Sequence, residues 1–179
     1  MRILGIDNGL DGGLVLLMDG KVSDTHIMPT VGEKGREKRA YDQEAIFRVI
    51  ETLRPDHAFL EWAQAMPGQG VTSMFSIGFG FGLMQGLLVG RRVPTTLVRP
   101  QAWQKVMFAG QPKGDTKSTS YLVCSKAWPE IEWRRSEKCR TPHSGLTDAA
   151  CIAEYGRRQL QGWIGDSPAA RPEAVLVTS

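Results

Sequence analysis

Residues 2–28 read RILGIDNGLDGGLVLLMDGKVSDTHIM, and this stretch restricts the architecture more than any other. RILGIDNG is a short apolar run closed by Asp-Asn-Gly, the pattern of a buried strand entering a turn. GGLVLLMDGK follows as a second strand, with Asp-Gly as its hairpin signal, and KVSDTHIMP can form a third. Three consecutive strands joined by tight turns imply an antiparallel start to the sheet.

The pattern then changes. DQEAIFRVIETLRP opens with Asp42, sets Ile46, Val49, Ile50 and Leu53 at helical spacing and stops at Pro55. HAFLE is a short strand ending in Glu61. A glycine-rich helix follows after a loop, then TTLVRP as a strand and QAWQKVMFAG as a short helix. DTKSTSYLVCSKAW and TPHSGLTDAACIAEYGRRQL are further helices, the last starting with Thr141 as N-cap and Pro142 as first helical residue. The expected fold is α/β: a mixed five-stranded sheet, three antiparallel strands and then alternation, with helices on both faces. Residues 1–164 are expected to form the domain, and residues 165–179, rich in Pro and Ala, a loosely ordered tail.

With 179 residues, 41% hydrophobic and 23% charged, the chain suits one domain with a sizeable core. A net charge of +3 permits nucleic-acid binding without requiring it. Cys124, Cys139 and Cys151 are an odd number without CxxC spacing, so neither a disulfide framework nor a zinc site is expected, and a reducing, cytoplasmic compartment is. MRILGIDNG has no apolar region long enough for a secretory signal. From Trp62 to Gly90 there is no charged residue, and VTSMFSIGFGFGLMQGLLVG has nearly the length of a membrane-spanning helix. Glycine dilution and the polar Thr72, Ser73, Ser76 and Gln85 favour a buried helix of a soluble protein, with no membrane partner.

Three acids sit where apolar patterns leave no polar face. Asp7 ends the first strand and Glu61 the fourth. Asp148 lies one turn before Cys151, Ile152 and Tyr155 and shares their face. Each alone reads as an ordinary turn or strand end. Together, if the first and fourth strands are neighbours and the last helix crosses them, they form one cluster. Converging carboxylates repel one another in a low-dielectric site and require cations. Oxygen-only ligands favour Mg²⁺, with Mn²⁺ as a substitute. Two such ions about 4 Å apart can clamp the attacking and leaving oxygens of a phosphodiester.

ILGIDNGLDGGLVLL, LEWAQAMPGQGVTSMFSIGFGFGLMQGLL, TTLVRPQAWQKVM and HSGLTDAACIAEYG resemble, in that order, the RuvC-like Holliday junction resolvases, in particular their phage and prophage branch. The resemblance covers about the first 156 residues, and QAMPGQGVTSMFS is its most specific piece. It implies an RNase H-like fold, a homodimer, and Mg²⁺-dependent nicking of four-way DNA junctions by a cytoplasmic, nucleoid-associated enzyme. It also implies that Asp7, Glu61 and Asp148 are metal ligands. Where the family carries a further acid or histidine one turn before the last acid, this chain has Ser144, with His143 beside it. His143 has two readings, a ligand or base, and a solvent-facing first-turn histidine.

Contacts to branched DNA are expected from loops around the acids. QAMPGQG offers Gln64, Met66 and Gln69, with Met66 able to wedge against a base pair. Lys105, Lys113 and Lys117 are further candidates, Lys117 at the head of a helix. EKGREKR contributes Lys34, Arg36, Lys38 and Arg39, and EWRRSEKCR contributes Arg134, Arg135, Lys138 and Arg140; both read equally as solvated charge. Gly78, Gly82, Gly86 and Gly90 recur every four residues, each costing about 1 kcal/mol against alanine, so they need a compensating contact. That contact is either the protein's own core, expected for at least part of the stripe, or a dimer partner. The competing functions are a junction-binding protein with weak or lost cleavage, another RNase H-like nuclease, and a membrane protein.

Overall fold

The computed structural model describes residues 1–32, 39–63, 68, 70–112 and 114–164. The three opening strands are β1 (Arg2–Asp7), β2 (Gly13–Met18) and β3 (Lys21–Ile27). The hairpin between β2 and β3 turns on Asp19 and Gly20, both at positive φ (50° and 84°), as the Asp-Gly signal requires. Two short strands the sequence reading did not contain, β4 (Thr30–Val31) and β5 (Ala40–Tyr41), pair as a separate ribbon. Then come α1 (Gln43–Leu53), β6 (His57–Glu61), α2 (Val71–Gly90), β7 (Thr95–Val98), α3 (Pro100–Met107), α4 (Thr116–Ala127) and α5 (Ser144–Leu160).

The main sheet has the order β3-β2-β1-β6-β7, antiparallel through β1 and parallel from β1 to β7. The expected five-stranded mixed sheet is therefore the observed one. Its strands alternate between two cores. Ile3, Val15, Leu17 and Phe59 face α3, α4 and α5, whereas Leu4, Ile6, Leu14, Leu16, Ala58 and Leu60 face α1 and α2. Asp42 caps α1 by accepting from the Ala45 amide at 3.0 Å.

Helix α5 is the central buried helix, with every residue from Gly145 to Gly156 buried except Asp148. Two glycines let it lie directly on β1. A Cβ on Gly5 would stand 2.0 Å from the Ala149 carbonyl oxygen, and one on Gly145 would stand 2.3 Å from the Asp11 carbonyl oxygen. Neither position admits a side chain. The helix starts later than Thr141–Pro142 suggested: its N-cap is His143. Pro142 instead bridges to Arg134, and the His143 amide donates to the Trp133 carbonyl at 2.7 Å, so tertiary pairing keeps these residues extended.

The long helix α2 corrects two expectations. It is not a buried helix: Gly80, Met84 and Leu88 are its buried residues, and Leu83 and Leu87 pack partly beside them. Val71 is 79% exposed and Phe75 74%. Nor does its glycine stripe pack on the protein's own core, since a Cβ at Gly78, Gly82, Gly86 or Gly90 would have nothing within 4 Å. The helix is apolar all round, so periodicity could not tell which side the sheet takes. Among the described helices it is the one long and apolar enough to cross a membrane.

Candidate active site

Parallel pairing of β1 with β6 sets Ile6 beside Leu60, so Asp7 and Glu61 leave the same edge of the sheet as the next residues of neighbouring strands. Helix α5 crosses that edge: Gly145 touches the Asp11–Gly12 turn, Ala149 touches Gly5, and Asp148 lies between those contacts. The electrostatics record the convergence. Burial lifts the Glu61 carboxyl to about 8, with Asp7 and then Asp148 adding to the rise. Burial likewise lifts Asp148 to about 6, and Asp7 raises it further against the opposing effects of Ser120 and Lys117. Asp7 itself is raised by burial and, more weakly, by Asp11. Acids from β1, β6 and α5 thus meet at one edge, where Asp7 disfavours charge on both Glu61 and Asp148, and Asp148 on Glu61.

Each acid is steered by one neutral donor. The Gly9 amide donates to Asp7 Oδ1 at 3.0 Å, the indole Nε1–H of Trp103 donates to Glu61 Oε1 at 2.8 Å, and the Ser120 hydroxyl donates to Asp148 Oδ1. Among the described residues the opposite oxygens have no donor. Asn8, buried beside Asp7, keeps its Nδ2 without a partner among the described residues.

The chemistry of this donor set, though not its spacing, suits hard divalent cations. It is oxygen-only, carries more negative charge than the neighbouring Lys117 can balance, and leaves one oxygen of each carboxylate available. Among the described residues no three His, Cys, Asp or Glu side chains are drawn tightly enough to clasp one ion by themselves.

The other expected residues divide. Lys117 stands in the first turn of α4 close enough to lower Asp148. The amide end of that helix is not free, because Asp115 accepts from the backbone and hydroxyl of Ser118. His143 is not among the groups acting on the three acids; burial lowers its pKa, and Arg135, Asp11 and Arg39 are the charges it feels. Ser144 begins α5, and its carbonyl accepts from the Thr147 hydroxyl. Lys105 and Arg135 are exposed, and Arg134 is engaged by Glu132 through Nε at 2.9 Å and Nη2 at 2.5 Å. Gln64, Met66, Gln69 and Lys113, with Lys34, Arg36 and Lys38, lie outside the described residues, as does the tail from residue 165. The sequence reading missed Ser120 and Trp103. A buried indole needs an acceptor, so Trp103 carried a usable signal; Ser120, in a helix rich in Ser and Thr, carried none.

No protein-family model matches the chain, and no curated protein matches its sequence. Solved structures do match its shape. A Thermus thermophilus RuvC in complex with a Holliday junction substrate superposes with a TM-score of 0.64 at 17% identity, over 96% of this chain and 99% of that one. A second T. thermophilus RuvC structure gives 0.62 at 18% identity, over 90% and 97%. The yeast mitochondrial Holliday junction resolvase gives 0.59 at 15% identity, over 90% and 81%. With its mixed five-stranded sheet and flanking helices, the chain has the RNase H-like fold of the RuvC resolvases.

Proposed function

We propose that this protein is a structure-selective endonuclease that resolves four-way DNA junctions, leaving 5′-phosphate and 3′-hydroxyl ends. The observation that carries the reading is the convergence of Asp7, Glu61 and Asp148 at one sheet edge, where each is lifted by burial and Asp7 raises both of the other acids. The shared fold with a RuvC bound to a Holliday junction substrate supports the choice of substrate.

Asp7, Glu61 and Asp148 would hold two Mg²⁺ or Mn²⁺ ions. Such ions, when bound, lower the pKa of water and stabilise the leaving oxygen of the phosphodiester. The chain's own contribution is orientation. Gly9, Trp103 and Ser120 fix one oxygen of each acid and so aim the other. Lys117, which lowers Asp148, would meet a DNA phosphate. The exposed, uncharged side of α2 is the surface on which a second copy would pack, giving two sites for two opposed strands.

The test is nicking of a synthetic four-way junction with Mg²⁺ or Mn²⁺, with duplex, flap and RNA–DNA hybrid as comparison substrates. Symmetric cuts in the junction, abolished by Asp7→Asn without loss of binding, are expected. Binding without cuts would instead identify a junction-binding protein, the reading that Ser144 in place of a fourth acid favours. Equal cutting of hybrid or linear duplex would identify another RNase H-like nuclease.

A further inference from the structure

The strand pair that delivers Glu61 delivers a second feature beside it. The parallel register of β6 and β7 ends with Glu61 opposite Val98, and the Trp62 amide donates to the Val98 carbonyl at 2.8 Å. Trp62 and Arg99 therefore leave the sheet side by side, one residue beyond the catalytic edge. The Arg99 guanidinium lies over the Trp62 ring, 5.2 Å from its centroid. Trp62 is partly buried and Arg99 is exposed.

Most arginines anchored elsewhere in the fold meet a carboxylate: Arg39 pairs with Asp11, Arg91 with Glu51, Arg134 with Glu132, and Arg157 with Glu154. Arg99 has no such partner among the described residues, although Glu61 is one residue from Trp62. Arg99 is instead held over the Trp62 ring. The ring contact restrains the guanidinium and takes up none of its N–H donors, which are left for an anion. The stacked cation also covers the ring face it lies on, so this ring face does not serve a base.

We propose that Arg99, held over the Trp62 ring, binds a backbone phosphate of the DNA strand beside the phosphodiester presented to Glu61. The inference rests on the nuclease reading above and adds a phosphate-binding residue to it. Trp62 is then a positioning residue, acting through Arg99.

The test is binding of the full chain to a synthetic four-way junction, and to linear duplex of the same length, across a range of salt with chelator present. Arg99→Gln should flatten the dependence of log affinity on log salt by about 0.9, one phosphate contact, and weaken junction binding about ten-fold. Arg99→Lys should keep the slope, because the charge remains. Trp62→Leu should also keep the slope but slow cleavage at saturating junction, because the cation loses its orientation. Arg54→Gln, at the C-cap of α1, should change nothing. An unchanged slope for Arg99→Gln on both DNAs, or an equal drop for Arg54→Gln, overturns the inference. Should wild type fail to prefer the junction while Arg99→Gln still flattens the slope on duplex, the phosphate contact stands and the junction reading falls.

Discussion

Ser120 donates its hydroxyl to Oδ1 of Asp148, across the contact between α4 and α5. The same hydroxyl also lies 3.0 Å from the Thr116 carbonyl, so one proton serves two acceptors, and an ionised Asp148 is the stronger of them. This donor is the largest influence holding Asp148 down against burial. Ser120→Ala should push the acid further up, making protons better competitors for any ion it holds. The expected outcome is a several-fold higher Mn²⁺ requirement for junction cleavage, unchanged junction affinity in chelator, and a stability loss of about 1 kcal/mol. A metal titration identical to wild type would show that Asp148 does not depend on Ser120.

Stability without metal should fall as pH rises. The folded-state pKa of Glu61, about 8, lies above its ordinary 4.5, so the folded protein binds the proton more tightly than the unfolded chain. Between those values the folded state holds more protons, and unfolding free energy decreases with pH. Asp148, at about 6, adds to the fall at the lower end. His57 and His143, held below 6.5 by burial, act the other way up to that pH, so the decline is cleanest from 6.5 to 8. Glu132, near 2, loses its contribution only in acid, outside the window. At about 1.4 kcal/mol per pKa unit, the effect is on the order of 1–2 kcal/mol over that interval. Thermal melting in chelator should show it, Glu61→Gln should reduce it to what the raised Asp7 and Asp148 leave, and added Mn²⁺ should raise the melting temperature most at pH 8. A flat profile in chelator would mean that Glu61 is not held against its charge.

A second link reaches the site from α2. The Tyr41 hydroxyl donates to the Asn8 carbonyl at 2.8 Å, bracing the turn that follows Asp7. A Cβ at Gly80 would stand 2.2 Å from that hydroxyl oxygen. Gly80→Ala should therefore displace Tyr41 and the turn, although alanine is the better helix former. Cleavage should fall about ten-fold or more in Gly80→Ala and less in Tyr41→Phe, and the double variant should lose less than the sum of the two. Additive losses would show that Gly80 acts by another route.

Asp7 and Glu61 were legible because strand ends are fixed by local apolar runs, and Asp148 because a carboxylate among Cys151, Ile152 and Tyr155 violates the pattern around it. The five strands were legible for the same reason. What escaped is set by partners distant in sequence. Pro142 looked like a helix start until pairing with Arg134 held it extended. Trp62 and Arg99 are 37 positions apart by number and meet only through the β6–β7 register. The fate of the glycine stripe could not be read either, since a helix apolar on every side gives no preference for the face that meets the sheet.

That stripe yields the sharpest test of the homodimer. In the isolated chain Gly82 and Gly86 face open space, so alanine at both should stabilise the helix by up to about 1 kcal/mol each. If a second copy packs its backbone close against the stripe, the added methyl groups instead stand in the interface and separate the helices. The exposed Phe75 and Val71 on an uncharged helix also leave an apolar surface that favours coverage. Sedimentation velocity over a concentration series is expected to show a wild-type dimer and a Gly82→Ala/Gly86→Ala variant whose dissociation constant is raised about ten-fold or more. Junction cleavage should follow the loss of dimer, with cuts in opposed strands becoming uncoupled. A monomeric wild type, or a variant that is both more stable and equally dimeric, would remove α2 from the interface.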